Sequence, residues 1–124
     1  MAMTETKRKY LLTIALLHKD PSHPVRPIDL AVRLGVSRAS VSRMLLEFVK
    51  EGLLSQKVHS YQLSERGRRM LGEALDHYGT YHAFCTNVLK LSAFDAQECC
   101  IALLCNVDTR ILQHLSQRMK EWTN

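Results

Sequence analysis

Arginine and small hydroxyl-bearing side chains are concentrated in the segment Ser-Arg-Ala-Ser-Val-Ser-Arg, residues 37–43. An arginine can pair with the edge of a guanine, and a serine can hydrogen-bond a base or a phosphate. Small residues let the backbone approach a duplex closely. We therefore predict that the segment contacts DNA through Ser37, Arg38, Ala39, Ser40, Ser42 and Arg43. The alternative is a solvated basic face on an ordinary helical hairpin.

Two helices joined by a sharp turn would present this segment. The first has apolar residues at helical spacing, namely Ile28, Leu30, Ala31 and Leu34. Gly35 ends it, because glycine enters the left-handed conformation without steric cost. Val36 is expected to fill the corner, and Ser37 to cap the second helix. The buried stripe of that helix is predicted to be Val41, Met44, Leu45 and Phe48. This pattern is typical of a helix-turn-helix.

The hydrophobic pattern changes to a period of two after Gly52. Residues 54–58 and 61–63 are strand candidates on either side of a turn at His59 and Ser60. A hairpin that follows a helix-turn-helix makes a winged helix. Its tip would present Lys57, His59 and Ser60 to a phosphate or to the minor groove. For His59, simple solvent exposure is the alternative.

The charge of the chain is unevenly distributed. The 124 residues carry a formal net charge of +5. Residues 1–75 hold 13 Lys and Arg against 7 Asp and Glu, whereas residues 76–124 hold 4 against 5. The basic excess therefore accompanies the predicted helix-turn-helix, where a surface for a polyanion is needed.

Several classes of protein are disfavoured by the sequence. No apolar run reaches the roughly 18 residues of a membrane span, and the N-terminus lacks the features of a signal peptide. We therefore expect a cytoplasmic protein whose four cysteines are thiols or ligands rather than disulfides. A glycine-rich phosphate loop, a nucleophile elbow and an HExxH motif are all missing from the sequence. We therefore expect that the protein is not an enzyme.

The second half of the sequence continues an apolar helical repeat. We predict one long helix, or two helices in line, from about 64 to about 90. Further helices are predicted from Asp95 to Cys105 and from Asp108 to Trp122, with Asp95 and Asp108 as caps. The expected fold class is mainly α: a winged helix-turn-helix DNA-binding domain over residues 1–75, followed by a helical dimerisation domain over residues 76–124.

A homodimer is the interpretation that we favour for the surplus helices. A single winged helix reads few base pairs, so a second contact from a two-fold partner is needed for specificity. The apolar residues after position 64 would provide the dimer surface. The alternative is that these helices fold back on their own subunit.

Motifs along most of the chain resemble one known family. They are 10–14 (YLLTI), 25–37 (VRPIDLAVRLGVS), 40–45 (SVSRML), 51–53 (EGL), 63–67 (LSERG) and His77. Together they resemble the metal-dependent repressors of the diphtheria toxin repressor and manganese repressor family, in its short two-domain form. The resemblance implies a homodimeric repressor on a palindromic operator, controlled by iron or manganese.

The resemblance also implies metal ligands on the first helix, the long helix and the helix after it. His77 matches a ligand, but Lys9 and Tyr81 replace family ligands. The family's Glu-His pair falls on Leu104 and Cys105. The donors that remain for a divalent transition metal (iron, manganese or zinc) are His77, Glu98 and Cys105.

Several interpretations of this altered site stay open. Lys9 could place a fixed positive charge where the metal would sit, which would make DNA binding independent of metal. A different metal set could come from His77, His82, Cys85, Cys99, Cys100 and Cys105. The cysteines could instead be core thiols or a redox sensor. In a different functional class, the winged helix would serve contacts with an acidic protein.

Overall fold

A computed structural model describes residues 4–17, 25–58 and 60–123. The chain divides into two units, Met1–Leu71 and Gly72–Asn124. The first unit contains α1 (Glu5–Leu17), α2 (Pro27–Leu34), α3 (Arg38–Lys50), β1 (Leu54–Lys57), β2 (Ser60–Leu63) and α4 (Glu65–Leu71). The second unit contains α5 (Glu73–Asn87), α6 (Ala93–Asn106) and α7 (Thr109–Thr123). The predicted fold class, mainly helical with a winged helix first, is confirmed.

The turn between α2 and α3 forms as the sequence predicts. Pro27 begins α2, where its missing N–H costs nothing. Gly35 has a φ of 66°, and its N–H donates to the Ala31 carbonyl. Ser37 caps α3, because its hydroxyl accepts a hydrogen bond from the Ser40 N–H at 3.1 Å.

The core of the first unit is built mainly from α1, α2 and α3. Its fully buried side chains include Leu11, Leu12, Ile14, Leu30, Val41, Leu45 and Phe48. Two apolar residues expected in the interior are instead exposed, Ile28 and Val36, and Met44 is only half-buried. Ile28 lies in the first turn of α2, a short helix in which only the central residues Leu30 and Ala31 are buried.

The wing is a two-stranded antiparallel sheet. Leu54 pairs with Leu63 at its base, and Lys57 pairs with Ser60 at its outer end. Ser64 joins the wing to α4, since its hydroxyl donates to the Gly52 carbonyl and accepts from the Gly67 N–H. The base of the hairpin is thereby fixed to the rest of the first unit.

In the second unit, α5 packs against both α6 and α7. Their buried apolar side chains include Ala74, Tyr81, Cys85, Ala96, Cys100, Ile101, Leu104 and Leu112. The cap predicted at Asp95 is wrong: Ser92 caps α6 by accepting from the Asp95 N–H. Asp108 does cap the start of α7, where its carboxylate accepts from the Arg110 N–H at 2.8 Å.

The stretch from 64 to 90 is not one continuous helix. Gly72 separates α4 from α5 with φ 47° and ψ −124°, a conformation that no helix contains and that favours glycine. The assignment of residues 1–75 to DNA binding and 76–124 to dimerisation stays a prediction. Within the described residues, no helix is long and apolar enough to cross a membrane.

Candidate DNA-binding surface and metal position

The leading end of α3 is a solvent-facing basic surface. Of the six residues in segment 37–43 that were predicted to contact DNA, five are exposed and one, Ser40, is half-buried; the exposed ones are Ser37, Arg38, Ala39, Ser42 and Arg43. Among the described residues, neither Arg38 nor Arg43 forms an ion pair. The positive end of the α3 dipole lies at the same place. Charge, exposure and backbone polarity therefore all favour an anionic partner there.

A salt bridge from α1 engages a carboxylate on α3. Glu47 follows Arg43 by one helical turn, a spacing at which the two side chains would attract each other. In the structure the Lys7 Nζ lies 2.8 Å from Glu47 Oε1 instead. This hydrogen bond raises the pKa of Lys7. The arrangement leaves Arg43 available for another anion.

Lys7 was not among the site residues predicted from sequence. Its partner lies 40 residues away, so no local spacing reveals the pair. A groove of about 500 Å³ between α1 and α3 is lined by Tyr10, Ser40, Arg43 and Glu47, among others. α1 therefore lies beside the leading end of α3.

The structure of the wing agrees with only part of the predicted set of DNA-contacting residues. Lys57 is exposed at the end of β1, and the following Val58 is 85% exposed. Ser60 is only 7% exposed, which contradicts its expected position at an exposed tip. Ser60 is already part of β2, and the N–H of the next residue, Tyr61, donates to the Val25 carbonyl, so this end of the strand lies against the segment at Val25. His59 lies outside the described residues.

His77 is held by α7 rather than by other candidate metal ligands. Its Nδ1 lies 3.0 Å from the hydroxyl of the buried Ser116. Its Nε2 is buried without a hydrogen-bond partner, 3.8 Å from Glu73 Oε2. Across the described parts of the chain, no group of three or more His, Cys, Asp or Glu side chains is placed to hold a metal ion. His77, Glu98 and Cys105 are thus not brought together as a ligand set.

The replaced family positions carry side chains that do not fit a metal. Tyr81 is fully buried, and its hydroxyl donates to the Leu112 carbonyl at 2.6 Å. Burial, followed by the charge of Cys100, raises the pKa of Tyr81 to about 12, so its phenol stays neutral. Leu104 is buried and has no donor atom in its side chain. Lys9 is exposed on α1. The donor set of this chain does not match the one that the resemblance implies.

Comparison with known proteins supports the fold. The family described as "Iron dependent repressor, N-terminal DNA binding domain" matches residues 2–65, slightly more than half of the chain. Among curated proteins, none matches this sequence.

Three solved structures have a similar fold. The hypothetical protein SSo2273 from Sulfolobus solfataricus is 17% identical, with a TM-score of 0.54 over 96% of this chain and 91% of that one. IdeR from T. acidophilum is 19% identical, with a TM-score of 0.69, and the manganese regulator SloR is 21% identical, with a TM-score of 0.66. The IdeR and SloR structures each align with 97% of this chain. The chain spans only 55% of the length of either protein.

Proposed function

The chain belongs to the iron-dependent repressor family and is a DNA-binding transcriptional regulator; from this premise we propose that it represses transcription as a homodimer on a palindromic operator. The observation that carries the proposal is the exposed leading end of α3, where Arg38 and Arg43 have no ion-pair partner among the described residues. In this proposal the protein works in the cytoplasm, with DNA and a second copy of itself as partners and without contact to a membrane.

In this proposal α3 enters the major groove with its N-terminal end first. Arg38 and Arg43 would read guanine edges, and the hydroxyls of Ser40 and Ser42 would contact bases or phosphates. Ala39 is small enough to let the backbone come close. Lys57 on the wing would contact the sugar-phosphate backbone, a role that fixes register without reading sequence.

The helical unit would supply the dimer contact. It leaves several large apolar side chains exposed, namely Leu89, Phe94, Ile111 and Trp122. Exposed aromatic residues are enriched at protein interfaces, because they bury much area at a small cost in conformational entropy. Two winged helices related by a two-fold axis would then read two half-sites, and the operator would be an inverted repeat.

The test begins with a DNA sequence that the protein itself selects. The full chain is used to enrich duplexes from a random library, and the affinity for the enriched duplex is measured by fluorescence anisotropy at several salt concentrations. Arg38→Ala and Arg43→Ala should each weaken binding by about 5- to 150-fold, which corresponds to about 1–3 kcal/mol per lost base contact.

Lys50→Ala is the matched control for these variants. It removes the same charge from the exposed opposite end of α3, so its effect should stay below about threefold. If both arginine variants keep the wild-type affinity and salt dependence, α3 does not read the groove. A partner other than DNA would then have to explain the basic surface.

A further inference from the structure

One face of α3 carries charges of both signs beside the surface that the proposed function gives to DNA. Arg43 and Glu47 are four residues apart on α3, so their side chains are neighbours on the helix surface. Both side chains line the groove of about 500 Å³ between α1 and α3. At this spacing an arginine and a carboxylate attract each other. An ion pair between them would withhold the Arg43 guanidinium from DNA.

Glu47 is paired with a residue of α1 instead. The Lys7 Nζ lies 2.8 Å from Glu47 Oε1, and the side chains of Lys7 and Glu47 are 17% and 46% exposed. Because most of the Lys7 side chain is covered by protein, this pair is screened less by water and salt than a pair between two exposed side chains. Lys7 therefore competes with Arg43 for the carboxylate, and Arg43 forms no ion pair among the described residues.

The local structure of α1 holds Lys7 at this position. The Thr4 hydroxyl accepts a hydrogen bond from the backbone N–H of Lys7 at 3.1 Å, which fixes the first turn of the helix. The Lys7 ammonium donates to Glu47 on α3, 40 residues away. With its charge engaged by protein and its side chain mostly covered, Lys7 is placed to act on Arg43 through Glu47 rather than on a phosphate.

We propose that Lys7 is a positioning residue for DNA binding: it neutralises Glu47 and thereby keeps Arg43 unpaired at the leading end of α3. This inference rests on the proposed function, in which Arg43 reads a guanine edge. Without Lys7, the Glu47 carboxylate pairs with Arg43 and competes with DNA for it. Its negative charge also repels the phosphates of the duplex.

The first experiment measures the affinity of the full chain for the selected duplex by fluorescence anisotropy. Lys7→Ala should weaken binding about three- to tenfold. Up to about fivefold comes from the new pair between Arg43 and Glu47, the factor that corresponds to about 1 kcal/mol for an exposed pair, and the rest from repulsion. Lys7→Ala/Glu47→Gln should bind within about twofold of the wild type, because glutamine forms no ion pair with Arg43.

Lys7→Ala/Glu5→Gln is the charge-matched control for this rescue. It removes an exposed carboxylate from the first turn of α1 and leaves Glu47 free to pair with Arg43. Its affinity should stay as low as that of Lys7→Ala. Equal recovery in the two double variants would show that net charge alone sets the affinity, and would overturn the proposal.

A double-mutant cycle tests whether Lys7 acts through Arg43. In the Arg43→Ala background, Lys7→Ala should change the affinity by less than about twofold, because no guanidinium is left for Glu47 to withhold. An equal loss in both backgrounds overturns the proposal, and so does a failure of Glu47→Gln to restore the affinity of Lys7→Ala. Lys7 would then contact DNA itself or act by holding α1 in place.

A measurement without DNA separates this inference from the proposed function. The Nε–H resonance of the Arg43 guanidinium, observed by NMR and assigned with Arg43→Ala, should shift in Lys7→Ala and return in Lys7→Ala/Glu47→Gln. An unchanged resonance in Lys7→Ala overturns the inference whether or not the chain binds DNA. If the resonance shifts as expected and no duplex is enriched from the library, the proposed function is wrong while the choice of partner by Glu47 is supported.

Discussion

Tyr81 is the residue at which this chain departs most clearly from the pattern that its family resemblance implies. Its hydroxyl bonds the Leu112 carbonyl, and one turn earlier His77 bonds Ser116. Both bonds join α5 to α7, and the rings of His77 and Tyr81 are stacked, with centroids 5.9 Å apart. Direct hydrogen bonds therefore connect these helices where the resemblance implies metal ligands.

Removal of the Tyr81 hydroxyl should weaken the helical unit without disrupting its packing. Tyr81→Phe keeps the ring and loses the bond to Leu112, so the free energy of unfolding should fall by about 0.5–1.5 kcal/mol. Urea denaturation followed by circular dichroism measures the change. Tyr61→Phe, on the half-buried wing strand β2, is the control and should change stability by less than about 0.5 kcal/mol. Equal effects of the two substitutions would contradict the role given to Tyr81.

The same residue should make stability depend on pH in the alkaline range. The pKa of Tyr81 is raised to about 12 in the folded chain, from its ordinary value of 10.0. Between these values the folded chain holds a proton that the unfolded chain has lost, so the free energy of unfolding falls as pH rises through this window. Tyr81→Phe lacks this contribution, and its stability should fall less steeply above pH 10. If the free energy of unfolding falls equally steeply with pH in the two proteins, the pKa of Tyr81 is not raised in the folded chain.

At the scale of elements, Gly67 allows α4 to pack against the base of the wing. A Cβ at this position would overlap the Leu53 carbonyl oxygen and press on the Leu63 side chain. Gly67→Ala should therefore lower the free energy of unfolding by about 1–3 kcal/mol, the usual cost of overpacking. Thermal or urea denaturation of the purified variant provides the measurement.

Gly79→Ala in α5 is a control for Gly67→Ala, because it makes the same chemical change at another position. A Cβ there meets no atom within 4 Å, and alanine is the better helix former by roughly 1 kcal/mol. Gly79→Ala should therefore be neutral or stabilising. A Gly67→Ala protein as stable as the wild type would show that α4 and the wing separate easily, contrary to the contact seen in the structure.

The elements that were predicted correctly are those with strong local signals. Gly35 and Ser37 define the turn before α3 through backbone conformation and a hydrogen bond across three residues, and both effects operate within a few positions. The position of the break between α4 and α5 at Gly72 was not predicted, because a helical repeat continues on both sides of it. Ser92 was missed as a cap because Asp95, which follows it, is an equally good capping residue type.

The site was less predictable than the fold. The exposed basic end of α3 followed from helical spacing, since one face is apolar and the other is not. The burial of Ser60 was not predicted, because the start of β2 lies against Val25, which is distant in the sequence from the turn at His59 and Ser60. The salt bridge between Lys7 and Glu47 and the bond from Tyr81 to Leu112 join residues more than 30 positions apart. Such contacts exist only once the chain has folded.

At the scale of the whole molecule, the altered ligand positions predict that DNA binding does not need a metal. Lys9, Tyr81 and Leu104 supply no ligand where the family resemblance implies one, so a chelator has no activating ion to remove. Affinity for the selected duplex should change by less than about twofold when EDTA is added or when manganese or ferrous iron is supplied. A tenfold loss with EDTA that manganese or iron restores would show that a metal site forms in the working protein.

Two copies of this chain should read one two-fold-symmetric duplex through α3. The molar mass of the complex tests this, measured by light scattering on the selected duplex and on a duplex in which one half-site has been scrambled. We expect two chains bound to the intact duplex, and an affinity lower by at least about 100-fold when one half-site is lost. A single chain on each duplex, bound equally well to both, would contradict it.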